Sequence, residues 1–268
     1  MDRREFVNKS LYATASVAAL PVLTLKYSSI DAVKRFHSFA ETKPWKFEAA
    51  TKFIESLGDQ CCEVLRAVIA DGDSAACCLA VCIVRQMGAS ALPLLPELVR
   101  LAEDEDHADS DRAVITLGKL GPAADLAVPV LEDRLNHSDL RIRLDAANSL
   151  IEIQPHRLDE WATVLHVALD DLRTAYRACS MVGDSRNAGS RFVPQLESLV
   201  AATSLDVRPD IHCEAARAIF RITGDTELKA VQRALRTEQH LLASPDDRVR
   251  NLMAYRPICG PALQRLTH

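Results

Sequence analysis

The sequence predicts an all-α fold in which pairs of helices recur along the chain and stack side by side. Three observations support this prediction: a nine-residue motif that occurs six times, a second apolar segment between successive motifs, and a composition rich in alanine and leucine but only 5% aromatic. Such a composition suits close packing between helices better than a β-sandwich, which needs β-branched and aromatic strands.

The nine-residue motif, called the nonamer below, begins with alanine in each of its six copies. Its fifth and eighth residues are apolar in all six, and this spacing places the three positions on one stripe of a helix. A small residue on that stripe lets a neighbouring helix approach closely. A recurrence every 29 to 40 residues is typical of stacked repeat arrays. The copies begin at Ala50, Ala80, Ala113, Ala146, Ala175 and Ala215.

Each nonamer is separated from the next by a second amphipathic segment. Glycine at the ninth nonamer position, in four of six copies, predicts the end of the first helix, because glycine accepts the left-handed conformation. The following segment has proline in its first turn, where proline is tolerated: Pro93 or Pro96, Pro129 and Pro194. Polar turns at 136–139 and 244–247 offer N-cap oxygens to the next helix. The sequence therefore predicts two helices in each unit.

Two helices per unit in this register resemble HEAT-like repeats, close to the short repeats of the phycobilisome-lyase group. Ile142-Arg143 and Val249-Arg250 match the Val-Arg pair that begins the second helix of that family's repeat, although arginine is missing from the matching place in the other units. The resemblance covers about residues 46–266. A generic helical bundle is the alternative.

The resemblance implies a right-handed α-solenoid of about six helix-pair repeats. No unit can bury its apolar stripe alone, so the units must stack and the end units must be irregular. We expect the repeat domain to span 41–268, with a longer loop around 203–210 and an irregular C-terminal cap at 248–266.

The N-terminus has the layout of an export signal. Two arginines precede a moderately apolar run at 11–25, which is shorter than the roughly 20 residues that a membrane span needs. Arg3, Arg4 and Phe6 resemble the corresponding residues of the bacterial twin-arginine signal. The resemblance implies export of the folded protein to the periplasm or cell envelope, with residues 1–40 as a signal or anchor segment and linker.

Two alternatives accompany the export signal. A cytoplasmic chain with a chance pair of arginines is one. The other is an export signal that is not cleaved, in place of cleavage after Ala40. An uncleaved signal would be the protein's contact with a membrane.

The charge of the chain argues against nucleic acid as the main partner. The net charge is −5, and residues 27–268 carry 28 basic and 35 acidic side chains, a net charge of −7. Phosphate binding depends mainly on lysine and arginine, so a mildly acidic body suits it poorly. This balance also argues against a repeat-type DNA glycosylase.

The sequence contains no recognisable catalytic or metal-binding motif. It lacks CxxC, HExxH, a phosphate loop and a dinucleotide fingerprint. Of the eight cysteines, we expect most to pack as small apolar residues. A disulfide between Cys61 or Cys62 and the helix at 77–82 is the first alternative, and a metal site is the second. We therefore predict no catalytic residue, no metal ligand and no cofactor.

The predicted function is a non-catalytic scaffold that binds a protein partner on the concave face of the array. The third and seventh nonamer positions point away from the buried alanine. Along the C-terminal half they carry the cations and the adaptable methionine that we predict to bind an acidic partner: Lys119, Arg177, Met181, Arg217 and Arg221. The alternative is a lyase-like enzyme acting on a protein-bound chromophore, as the repeat resemblance implies.

Overall fold

The structure is a computed structural model, and it describes residues 29–41, 44–71, 74–203, 208–225 and 227–242. These residues form α-helices joined by turns and short 3₁₀ segments, with no β-strand among them, which confirms the predicted all-α class. The helices within this part of the chain are α1 (Ser29–Ala40), α2 (Phe47–Ser56), α3 (Cys61–Ala70), α4 (Ser74–Met87), α5 (Leu95–Glu103), α6 (Ser110–Lys119), α7 (Val128–Arg134), α8 (Leu140–Ile153), α9 (Leu158–Asp170), α10 (Ala175–Asp184), α11 (Val193–Ala202), α12 (Pro209–Thr223) and α13 (Lys229–Leu242).

The nonamers fall on every second helix, α2, α4, α6, α8, α10 and α12. All six first-position alanines are fully buried, and so are the fifth-position residues, from Ile54 in α2 to Ile219 in α12. The eighth position is buried in the last four copies and half-buried at Leu57 and Met87. The predicted apolar stripe is therefore confirmed.

Glycine ends the nonamer helices in the first three copies, as predicted. Gly58, Gly88 and Gly121 lie just after α2, α4 and α6, with φ of 56°, 57° and 78°. Gly183 differs, because it lies inside α10, and a Cβ there would come within 2.9 Å of the Ala218 Cα. In the last copy the left-handed residue is Gly224, one place beyond the nonamer.

The intervening helices begin as their prolines predict. Pro96, Pro129 and Pro194 occupy the first turns of α5, α7 and α11, and Pro93 lies in the 3₁₀ segment Gly88–Leu94. Asp139 caps α8, since its side chain accepts a hydrogen bond from the Arg141 backbone N–H at 2.8 Å. The turn at 244–247 lies outside the described residues.

Three pairs of successive nonamer helices pack against one another: α4 with α6, α6 with α8, and α10 with α12. The buried residues form two hydrophobic clusters. The first extends from α1 to α8 and includes Trp161, and the second extends from Leu144 to Val231. The clusters meet around α8 and α9, and α9 contacts both α8 and α10.

One stretch of the described chain, Ser74–Glu103, is long and apolar enough to cross a membrane, with a mean hydropathy of 1.6 in its most apolar window. Half of that window is buried inside the protein. The stretch consists of α4 and α5 with the left-handed Gly88 between them, so core packing accounts for its apolar character.

Helix α1 joins the core from the N-terminal side of the predicted domain boundary. Phe36 is fully buried, and α1 packs against α2, α3 and α4. The cleavage considered after Ala40 would cut directly behind this packed helix, where Phe39 and Ala40 are themselves buried. Arg3, Arg4 and Phe6 lie outside the described residues, as does the predicted C-terminal cap, so the signal and the cap stay predictions.

Candidate functional site

The third and seventh nonamer positions lie on the side of each helix that faces away from the buried alanines. Eleven of these twelve side chains are exposed or half-buried, as the helical spacing predicts, and the exception is Arg217. The predicted partner-binding residues therefore lie on one side of the nonamer helices, and their local surroundings decide what they can bind.

Three of the predicted cations form ion pairs that join successive nonamer helices. Lys119 of α6 pairs with Glu152 of α8, and Arg177 of α10 pairs with Asp145 of α8. Arg221 of α12 donates through Nη1 to Asp184 Oδ1 of α10 at 2.8 Å. We call the six residues of these three pairs the paired-charge row.

The spacing of these residues explains why they share one face. When the nonamer alanine is position 1, Asp145 lies at position 0 and Asp184 at position 10 of their helices. The other members of the row lie at positions 3 and 7. Positions 0, 3, 7 and 10 follow one stripe of a helix. The prediction of outward residues from positions 3 and 7 alone includes the three cations but not Asp145 and Asp184.

Arg217 is placed differently from the prediction. It is only 7% exposed and pairs with Glu214, which is also buried. Because both side chains are buried, the paired-charge row does not continue through Arg217 and Glu214. Met181 is half-buried and packs against the second hydrophobic cluster, so it contributes to the core as well as to the face. The structure thus removes Arg217 from the surface that a partner could reach.

Asp145 is the most buried carboxylate of the paired-charge row. Burial raises its pKa, and the hydrogen bond and charge of Arg177 act in the opposite direction. Its side chain is 11% exposed, whereas that of Arg177 is 46% exposed. Arg177 therefore neutralises a buried charge while keeping part of its guanidinium open to solvent.

The Arg177→Ala variant tests the structural part of this pair. We expect the free energy of unfolding at pH 7 to fall by about 1–2 kcal/mol, because Asp145 keeps a buried charge without its cation and solvent screening reduces the loss. In the variant the pKa of Asp145 rises further above its unfolded value. The folded state then binds more protons than the unfolded state, so the deficit should shrink as the pH falls from 7 towards 4. Urea unfolding of the wild type and the variant across this pH range measures the deficit.

Arg173→Ala is the matched control, because Arg173 also pairs with an aspartate, Asp171, but is 84% exposed. We expect this variant to leave the free energy of unfolding unchanged at pH 7 and towards pH 4. A deficit in Arg177→Ala that does not change with pH would contradict the assigned role of Asp145.

Most of the described cysteines pack in the core as expected. Cys77, Cys78, Cys179 and Cys213 are buried, whereas Cys61, Cys62 and Cys82 are half-buried. Burial raises the pKa of Cys61 to about 11, and burial together with the charge of Asp109 raises that of Cys78 to about 12. Both thiols are protonated at neutral pH, which makes them poor nucleophiles.

The chain matches no protein-family model and no curated protein. Among solved structures it is similar to the complex of CpcE and CpcF of phycocyanin lyase from Nostoc sp. PCC7120, with 14% sequence identity and a TM-score of 0.46, over 85% of this chain and 100% of that chain. It is also similar to an engineered protein from the Northeast Structural Genomics Consortium, with 21% identity and a TM-score of 0.47, over 93% and 66%. Nothing about activity follows from likeness at this level.

The fold and the face together define a class of protein. The described chain is all-helical, its nonamer helices pack side by side, and charges on their outer side are paired between neighbouring helices. This arrangement is that of an all-helical protein built from repeated helix pairs.

Proposed function

We propose that the chain is a protein-binding subunit, built as a right-handed α-solenoid of about six HEAT-like repeats, whose partner lies along the paired-charge row. One observation carries the proposal: ion pairs hold six charged side chains on one face across α6, α8, α10 and α12. Side chains that are already held lose less conformational entropy when a partner binds.

The row fits a partner with charges of both signs better than the acidic partner expected from the sequence. Each cation of the row already faces a carboxylate, so a wholly acidic segment would compete with Asp145, Glu152 and Asp184. A partner segment that alternates in sign meets both members of each pair. Charge complementarity of this kind sets the register of a complex and suppresses wrong partners.

Two roles are compatible with such a subunit, and the non-catalytic scaffold is not favoured over the alternative. The alternative is a lyase-type subunit that acts on a protein-bound chromophore. CpcE and CpcF form a complex in phycocyanin lyase. A test of this chain must therefore measure a chromophore on the partner as well as binding of the partner.

The experiment is capture of partners with the full chain from extracts of the organism that produces it, compared with the variant Lys119→Glu/Arg221→Glu. Both substitutions place a negative charge beside a carboxylate of the row, so we expect the captured partner to fall at least tenfold. Arg191→Glu is the matched control, because Arg191 is exposed and pairs with Asp159 of α9, outside the nonamer helices. Capture should survive this substitution.

Circular dichroism should show that both variants retain the helical fold. Equal capture by the row variant and the wild type would refute binding along the row. Incubation of the purified pair then separates the two roles. A change in covalently attached chromophore absorbance on the partner identifies the lyase-type subunit, and an unchanged spectrum identifies the scaffold.

A further inference from the structure

Two turns, one repeat apart, share a local structure. His107-Ala108-Asp109 precedes α6, and His137-Ser138-Asp139 precedes α8. In both turns the aspartate backbone N–H donates to the histidine Nδ1, at 3.1 Å before α6 and 3.0 Å before α8. The second turn therefore serves as an internal reference for the first.

The two aspartates do different things with their carboxylates. Asp139 caps α8 and also pairs with the Arg141 guanidinium, so both of its oxygens have donors. Asp109 makes no side-chain cap to α6 and is only 1% exposed. Its Oδ1 accepts from Arg112 Nη1 at 2.7 Å, while its buried Oδ2 has no hydrogen-bond partner. A buried carboxylate oxygen without a donor is rare, and an ion or an ordered water ordinarily satisfies it. The neighbouring Cys78 thiol also interacts with the Asp109 carboxylate.

The surroundings of Asp109 supply two further metal-ligand types. One ligand atom each from Cys77, His107 and Asp109 lie within 4.8 Å of one another. Tetrahedral zinc would hold sulfur, nitrogen and oxygen ligands about 3.5 Å apart, so the separation of any two ligand atoms needs to shrink by at most about 1.3 Å. Thiolate and imidazole suit zinc, whereas Mg²⁺ and Ca²⁺ require oxygen ligands.

We propose that the Cys77 thiolate, a ring nitrogen of His107 and Oδ2 of Asp109 bind one zinc ion, with the fourth position facing solvent. His107 is half-buried and gives the ion its route from solvent, whereas Cys77 and Asp109 are buried. On binding, the Cys77 thiol gives its proton to solvent. Arg112 holds Oδ1 and so orients the carboxylate, as hydrogen bonds to ligating carboxylates do in metal sites.

Zinc binding at this site has one identifiable cost. The site also has no local motif in the sequence. Zinc on Nδ1 of His107 displaces the Asp109 N–H, and zinc on Nε2 requires the ring proton to move to Nδ1, so binding through either nitrogen loses this hydrogen bond. The sequence predicts no metal site because it lacks CxxC and HExxH. This site joins a residue inside α4 to a turn 30 positions later, so no local spacing identifies it.

The test uses the full, reduced protein titrated with Co²⁺ as a spectroscopic substitute for Zn²⁺. We expect one equivalent to bind, with tetrahedral d–d bands and a thiolate-to-cobalt charge-transfer band, and Zn²⁺ to displace it. Cys77→Ser should abolish the charge-transfer band. His107→Gln and Asp109→Asn should each weaken binding by at least tenfold, since even residues outside the ligand set contribute about 10- to 100-fold.

The matched controls are His137→Gln and Asp139→Asn in the reference turn, and Cys61→Ser/Cys62→Ser for unspecific thiol binding. All of them should bind as the wild type does. Thermal unfolding with and without Zn²⁺ is a second measurement for a variant that folds poorly. The rise in Tm on adding Zn²⁺ should shrink or vanish in the three ligand variants and stay as in the wild type in the controls. Absence of binding at micromolar metal, or a charge-transfer band that survives Cys77→Ser, would overturn the proposal.

Discussion

Gly118→Ala is expected to lower the free energy of unfolding by about 2–3 kcal/mol, an effect typical of an overpacked core. Gly118 lies in α6 against α8, and an added Cβ would come 2.6 Å from Ser149 Cα and 2.8 Å from Ser149 Oγ. A backbone atom cannot rotate away, so the two helices must separate. Separation would also strain the hydrogen bond from Ser149 Oγ to the Val114 carbonyl, which is 2.8 Å long and joins the same helices. Urea unfolding followed by circular dichroism measures the loss.

Two further variants show whether the backbone contact is the cause. At an exposed helical position, replacing glycine by alanine would stabilise the protein by about 1 kcal/mol, because alanine has the higher helix propensity. A loss of stability in Gly118→Ala would therefore not come from helix propensity. Ser149→Ala removes the hydroxyl but leaves the closest atom, so it should not rescue Gly118→Ala. Glu197→Ala, at an exposed position in α11, should leave stability unchanged. Rescue by Ser149→Ala would show that the hydroxyl and not the helix spacing limits this contact.

The helix positions could be predicted because they depend on a pattern repeated six times. A stripe of alanine followed by two apolar residues specifies both the helix and its buried face, and the structure buries Ala50 and Ala215 equally. The special role of Gly118 could not be predicted in this way. It occupies the sixth nonamer position, where the other copies have Glu55, Arg85, Ile151, Ser180 and Phe220, so no shared pattern indicates a close approach there.

The outward side of the nonamer helices could be predicted from the sequence, but the ion pairs formed there could not. Helical spacing correctly placed Lys119, Arg177 and Arg221 on the outer side of the nonamer helices. Their carboxylate partners belong to neighbouring helices 32 to 37 residues away in the chain, and only the packing shows which residues meet. Arg217 is buried beside Glu214 of the same helix, and the spacing of the nonamer positions does not show this burial.

Arg134→Ala is expected to lower the free energy of unfolding by about 3 kcal/mol, through a cavity and lost charge-assisted hydrogen bonds. Arg134 ends α7 and is only 2% exposed. Its guanidinium donates to the Ala102 carbonyl near the end of α5 and, at 2.9 Å, to Ser110 Oγ at the start of α6. It also pairs with Glu105 at 3.1 Å. One side chain thus ties three helices together, although an arginine at a helix end ordinarily indicates a solvated position.

Arg134→Met and Glu105→Gln separate the contributions to this effect. Methionine fills most of the volume, and Ser110 Oγ still donates to the Ala102 carbonyl at 3.2 Å, so its loss should be smaller than that of alanine. Glu105 is 59% exposed, and neutralising it should change stability little, as is usual for exposed ion pairs. A full loss in Glu105→Gln would mean that the ion pair dominates, whereas equal losses in the methionine and alanine variants would assign the effect to the hydrogen bonds alone. We expect the loss of stability to be largest in Arg134→Ala, smaller in Arg134→Met and smallest in Glu105→Gln. This order follows only if the buried guanidinium both fills space and donates a hydrogen bond to the Ala102 carbonyl at the end of α5.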